Sequence, residues 1–124
     1  MSRFDFISTS LADLIVVQRK AVEDARGFLS RFYCAEEFST AGMTKSIAQI
    51  NHTLTSSKGA VRGLHFQYPP HAETKLVSCL QGEIFDVAVD LRRTSLHYGR
   101  WVGEILSSDD KKQLWIPEGF AHGF

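Results

Sequence analysis

Arg62, His65, Lys75 and His122 are the side chains of this sequence best suited to hold an anion, take a proton or steady a developing oxyanion. The first two lie in Val61-Arg62-Gly63-Leu64-His65-Phe66-Gln67, Lys75 follows shortly after, and His122 belongs to the closing Ile116-Pro117-Glu118-Gly119-Phe120-Ala121-His122-Gly123-Phe124. A neutral His65 can abstract a proton from a carbon next to a carbonyl, and the ammonium of Lys75 can stabilise the enolate that forms. Metal chemistry competes: His65, Gln67, Glu73 and His122 approximate a His-x-His, Glu, His ligand set suited to iron, manganese or nickel. Gln67 is a poor ligand and Lys75 repels a cation, so no metal is assigned. GxGxxG, GxxxxGK[ST], HExxH, GxSxG and paired CxxC motifs are absent from the sequence.

The elements that must carry these residues are β-type. Leu14-Ile15-Val16-Val17 predicts a strand that leaves through a loop at Glu23-Asp24, and Arg26-Gly27-Phe28-Leu29 starts a second extended piece that includes Arg31. Ala35 to Ala41, closed by Gly42, is the one short helix and reads as a connector. Ser46 to Thr55 alternates, with Ile47, Gln49, Asn51 and Thr53 on one face, and predicts a strand. Gln49 and Asn51 then make a polar rung that faces either solvent or a ligand.

Val61 to Gln67 predicts the next strand. On an ideal strand Arg62 and His65 point to opposite faces, so one site can use both only if Gly63 bends or bulges the backbone. Lys75 to Leu80 and Glu83 to Asp90, separated by Gln81-Gly82, read as a hairpin. The spacing of Asp86 and Asp90 fits paired acid/base carboxylates, but their shared face with Ala88 is read as exposed. Strands at Arg100 to Leu106 and Gln113 to Ile116, the latter stopped by Pro117, complete seven or eight strands in an all-β sandwich or barrel.

Length and charge bound the rest. The 124 residues make one domain, with 44% hydrophobic and 23% charged residues. Formal net charge is zero, from 14 Lys+Arg and 14 Asp+Glu, so no overall field draws the molecule to nucleic acid or an anionic membrane. Cys34 and Cys79, the only two cysteines, read as reduced thiols. No apolar run is long enough for a membrane helix and Met1 to Ser10 has no apolar signal core, which predicts a cytoplasmic protein.

Arg62-Gly63-Leu64-His65-Phe66, Lys75-Leu76-Val77, Gly82 to Asp90 and Ile116 to Phe124 together resemble the dTDP-4-dehydrorhamnose 3,5-epimerase family of cupins, over the chain from about Leu14 onward. The resemblance implies a cupin-type jelly-roll barrel, incomplete at its C-terminus, a homodimer, and a cofactor-free epimerisation of a dTDP-linked 4-keto-6-deoxy sugar for rhamnose or lipopolysaccharide synthesis. It implies His65 as proton acceptor and Lys75 as support for the enolate at the C4 oxygen. Arg26, Gln49, Asn51, Arg62 and His122 would contact substrate, with the arginines on the diphosphate and Arg26 serving the partner's site. At the nucleotide-binding position of Arg31 the family has a glutamate, so a cation replaces a hydrogen-bond acceptor. Family members continue for tens of residues past the position of Phe124. Their tyrosine acid and the aspartate orienting the base histidine lie there, so the expectation is that these 124 residues alone are inactive or misfolded. A C3-only or C5-only epimerase and a non-catalytic sugar-nucleotide-binding cupin remain as alternatives.

Overall fold

Short alternating runs build nine strands and one helix among residues 2–124, which the computed structural model describes. In chain order the elements are β1 (Phe4–Ser8), β2 (Ile15–Arg19), β3 (Val22–Asp24), β4 (Gly27–Leu29), α1 (Ala35–Thr40), β5 (Lys75–Ser78), β6 (Glu83–Asp90), β7 (Trp101–Ser107), β8 (Lys112–Ile116) and β9 (Phe120–Gly123). They form a four-stranded sheet β1-β2-β8-β5, a three-stranded sheet β7-β6-β9 and a separate β3-β4 hairpin. All pairings are antiparallel. The two larger sheets face each other in the expected all-β jelly-roll manner.

Their inner faces meet in one apolar core. Val16, Leu114 and Ile116 come from the four-stranded sheet, Ala88, Leu106 and Phe120 from the other, and Val77, Ile84 and Val102 pack against them. The outer face of the four-stranded sheet is covered by α1: Phe38 is fully buried and meets Phe4, Phe6, Tyr33 and Trp115 at edge-type ring contacts. The helix read as a connector is therefore the anchor of a second core, shared with Val17 and Met43. Gly42, at φ 88°, ends it as predicted.

Several expected strands differ. Glu23-Asp24, expected in a loop, belongs to β3. The Lys75 to Asp90 region is not a hairpin: β5 pairs with β8, whereas β6 pairs with β7 and β9. Val77 and Ile84 both pack on the inter-sheet core, so the chain arches from one sheet to the other at Gly82 and gains burial on both sides. Ser46 to Thr55 forms no ladder, because an alternating sequence needs a neighbouring strand to pair with and none lies beside it among the described residues. Ile50 and Leu54 stand exposed there, as does His52. Phe4–Ser8 and Phe120–Gly123 are strands that pattern reading missed.

At the far end of β6, Asp90 is fully buried and receives Arg92 Nε and Nη2, each at 3.0 Å, and Ser95 Oγ at 2.5 Å. Arg92 also donates to Asp13 and to the Ala12 carbonyl, which ties the β6–β7 connection to the loop before β2. Cys34 and Cys79 are both free. No helix among the described residues is long and apolar enough to cross a membrane.

Candidate functional site

The segment around His65 joins the three-stranded sheet beside β9. Arg62 N–H donates to the Phe124 carbonyl at 2.6 Å, and Phe124 N–H returns to the Arg62 carbonyl at 2.9 Å. His65 and His122 exchange the same pair of bonds at 2.8 and 2.9 Å. Between these two pairs, Gly63 and Leu64 stand opposite Gly123 alone, which is a β-bulge. The expected continuous strand from Val61 to Gln67 is thus limited to this bulged pairing.

The bulge has the consequence demanded of it. Residues directly opposite one another project to the same face, and His122 and Phe124, two apart on β9, share a face. Arg62 and His65 therefore project to that face together, and the rings of His122 and Phe124 lie 6.0 Å apart on it. It is the inner face: Phe120 of the same parity packs in the inter-sheet core.

Behind His122 stands a residue whose role sequence reading missed. Asp86, two residues along β6 from the Ala88 that opposes His122, is fully buried and accepts a 2.5 Å hydrogen bond from His122 Nε2. Asp86 and Asp90, read as exposed, belong to the buried parity of β6 with Ala88. The available signal was that Ile84 shares that parity; the larger Phe85, Val87 and Val89 on the other side argued the reverse. Phe85 is in fact exposed, its ring laid over Gly103 of β7. Removing the imidazole with His122→Ala leaves a buried carboxylate unpaired, and a loss of about 2 kcal/mol in the urea unfolding free energy is expected.

Lys75 opens β5 on the facing sheet, opposite Ile116, and shares the parity of Val77. Both neighbours pack between the sheets, so Lys75 looks into the same space as His65 and His122. Lys75 is half-buried, His65 is exposed at the rim and His122 is buried.

The other predicted contacts are less gathered. Gln49 and Asn51 are exposed on the unpaired 46–55 stretch, whose two ends are tethered differently. Lys45 pairs with Glu118, on the turn that leads into β9, and Arg62 donates from Nε to Thr55 Oγ1 and from Nη2 to the Leu54 carbonyl. Arg26 caps the tip of the β3–β4 hairpin. Its hydrogen bonds hold the Asp24 carboxyl below the usual carboxylate range, and Asp24 in turn raises the arginine. Arg31 lies beyond β4 rather than in it, 3.6 Å from Glu37. A backbone hydrogen bond from Arg3, joined by Ser2 and Arg31, holds Glu37 below its ordinary value.

Of the alternative ligand set, Gln67 donates to Glu73 at 3.3 Å, and no group of three or more His, Cys, Asp and Glu is placed to hold a metal among the described residues. What the inner face offers is a rim imidazole, a carboxylate-backed imidazole, a guanidinium and a facing ammonium. Such a set can bind an anionic ligand and exchange a proton on it.

The family model described as dTDP-4-dehydrorhamnose 3,5-epimerase matches residues 8–124. The dTDP-4-dehydrorhamnose 3,5-epimerase of Shigella flexneri is 48% identical over 119 residues, covering 95% of this chain and 65% of that protein. The chain thus spans just under two thirds of that curated relative. A crystal structure of the Bacillus anthracis epimerase with TDP and PPi bound superposes with a TM-score of 0.94 at 42% identity, over 98% of this chain and 69% of that one. The Legionella pneumophila dTDP-6-deoxy-D-glucose-3,5-epimerase, in complex with dTDP-4-keto-L-rhamnose, gives 0.91 at 44% identity, over 98% and 64%.

Proposed function

Because this chain belongs to the dTDP-4-dehydrorhamnose 3,5-epimerase family, we propose that it epimerises a nucleotide-linked 4-keto-6-deoxy sugar, with dTDP-4-dehydro-6-deoxy-D-glucose as substrate and no cofactor. A ketone at C4 acidifies the hydrogens on C3 and C5, so one base can act at both through successive enolates. His65 is that base and Lys75 supports the enolate oxygen; each inversion is completed by a proton delivered to the opposite sugar face, the part the family's tyrosine acid plays. Arg62 and Arg26 hold the diphosphate, and Gln49, Asn51, Arg31 and His122 complete the substrate contacts. The observation carrying this reading is the bulged pairing that projects Arg62 and His65 beside the His122–Asp86 pair, toward the sheet that bears Lys75.

A second copy of the chain completes the assembly, in the cytoplasm. A two-stranded hairpin alone is marginal in water, and β3-β4 leaves Val22, Phe28 and Leu29 exposed beside Arg26. This supports a homodimer in which the hairpin reaches the partner's site.

The test is solvent exchange, which reads proton abstraction by the base and does not need the acid on the opposite sugar face that turnover requires: the full chain is incubated in deuterium oxide with dTDP-4-dehydro-6-deoxy-D-glucose, and label at each carbon is followed by mass and NMR. Label at C3 and C5 is expected. Label at one carbon alone replaces the reading with a single-site epimerase. Tight dTDP binding without any label replaces it with a binding protein.

A further inference from the structure

Two backbone segments approach so closely at the bulge that neither can carry a side chain. A Cβ built on Gly63 would lie 2.7 Å from the Cα of Gly123 and 2.7 Å from the His122 carbonyl oxygen. A Cβ on Gly123 would lie 2.6 Å from the Arg62 carbonyl oxygen and 3.0 Å from Leu64 Cδ2. The obstructing atoms are mostly backbone, so no side-chain rotation relieves the clash. Gly63 also sits at φ 115°, a conformation that L side chains rarely adopt.

Both contacts fall between the two hydrogen-bonded pairs that fix the direction of Arg62 and His65. Were the bulge to regularise, one of the two residues would turn to the opposite face of the sheet. The geometry points to Gly63 and Gly123 as a pair of positioning residues: their side-chain-free contact aims His65 at the substrate carbon and Arg62 at the anion. This rests on the reading of His65 as the base. The two glycines bring no side chain to the site and act through the residues beside them.

Gly59 supplies the control. It has a similarly positive φ of 83° in the same stretch of chain, yet a Cβ there meets nothing within 4 Å. Gly59→Ala therefore adds backbone strain without the steric intrusion, whereas Gly123→Ala adds the intrusion at a position for which no positive φ is required.

The experiment compares Gly63→Ala, Gly123→Ala and Gly59→Ala in the full chain. The readouts are deuterium exchange into the 4-keto sugar, dTDP affinity, and the His65 ring signals in NMR, assigned by their absence from a His65→Asn protein. The expected result is an exchange rate about 100-fold lower for Gly63→Ala and Gly123→Ala, since a displacement near 1 Å costs that much in a positioned reaction. Weaker dTDP binding and displaced His65 ring signals accompany it, while Gly59→Ala keeps exchange within about twofold of the parent. A folded Gly123→Ala protein with parental exchange and unmoved His65 signals overturns the proposal. In the unsubstituted protein a cross-relaxation signal between the α-protons of Gly63 and Gly123 is expected, and its absence overturns the proposal whether or not the variants fold. Absence of exchange by the unsubstituted protein removes the epimerase reading alone, since the positioning claim is still decided by the ring signals and by that α-proton contact.

Discussion

Replacing His65 with asparagine stops the incorporation of solvent deuterium into the 4-keto sugar and leaves affinity for dTDP at the parental level. The carboxamide keeps much of the size and hydrogen-bonding reach of the imidazole but has no basic nitrogen. General-base catalysis by a positioned side chain contributes about 10²–10⁴-fold, so a loss near 10³-fold in exchange at both C3 and C5 is expected. Loss at both carbons is the informative part, because a base that served only one of them would leave label entering the other. Affinity survives because His65 lies exposed at the rim, whereas the diphosphate is assigned to the arginines. Mass spectrometry of the recovered sugar gives total label and NMR places it. Undiminished exchange would sink the assignment of His65, and a lost dTDP affinity would show instead that the ring is needed to bind.

How much of this site was legible in the sequence depends on which physical signal each residue carries. The parity argument for Arg62 and His65 needed only strand geometry and a glycine between them, and the bulge it demanded is present with Gly63 and Leu64 opposite Gly123. Lys75 was legible as the start of a strand. What parity does not report is the partner of a strand. The arch at Gly82 was therefore mistaken for a hairpin, although β5 and β6 belong to different sheets. The same blindness made a strand of residues 46–55, where alternation is clear but no neighbour pairs with it. Asp86 was hidden for a different reason: a carboxylate in an apolar run reads as solvent-facing, and only the tertiary fold brings the His122 ring that makes its burial tolerable. β9 was obscured by its own shortness and by the glycines at and next to its ends, Gly119 and Gly123, which weaken a strand pattern.

The Asp90–Arg92 pair gives the largest stability effect expected of a single substitution here. Arg92→Ala removes two hydrogen bonds from a fully buried carboxylate and, with them, the ties to Asp13 and the Ala12 carbonyl. Breaking a buried pair by deleting one partner costs about 3–5 kcal/mol because the remaining charge is left uncompensated. Arg92 is itself partly exposed, with a quarter of its side chain accessible, so water can reach the site and the lower end, about 3 kcal/mol, is expected. The urea midpoint reads this directly. The pH dependence follows from the same contacts. Burial pushes the Asp90 carboxyl up, but hydrogen bonds from Arg92 and Ser95 outweigh it and bring the group down to about 2, from an ordinary value of 3.8. The folded form thus holds its proton less tightly than the unfolded chain. The stabilisation it supplies is complete above the unfolded value and is lost as pH falls from there through the folded value. Unfolding free energies measured between pH 5 and pH 2 should fall less steeply in Arg92→Ala than in the parent, because the variant has already lost the interaction that protonation removes. Parallel curves of unchanged spacing across that window would show that Asp90 draws its low affinity for protons from elsewhere, and would leave Arg92 as a tether between loops rather than the partner of a buried charge.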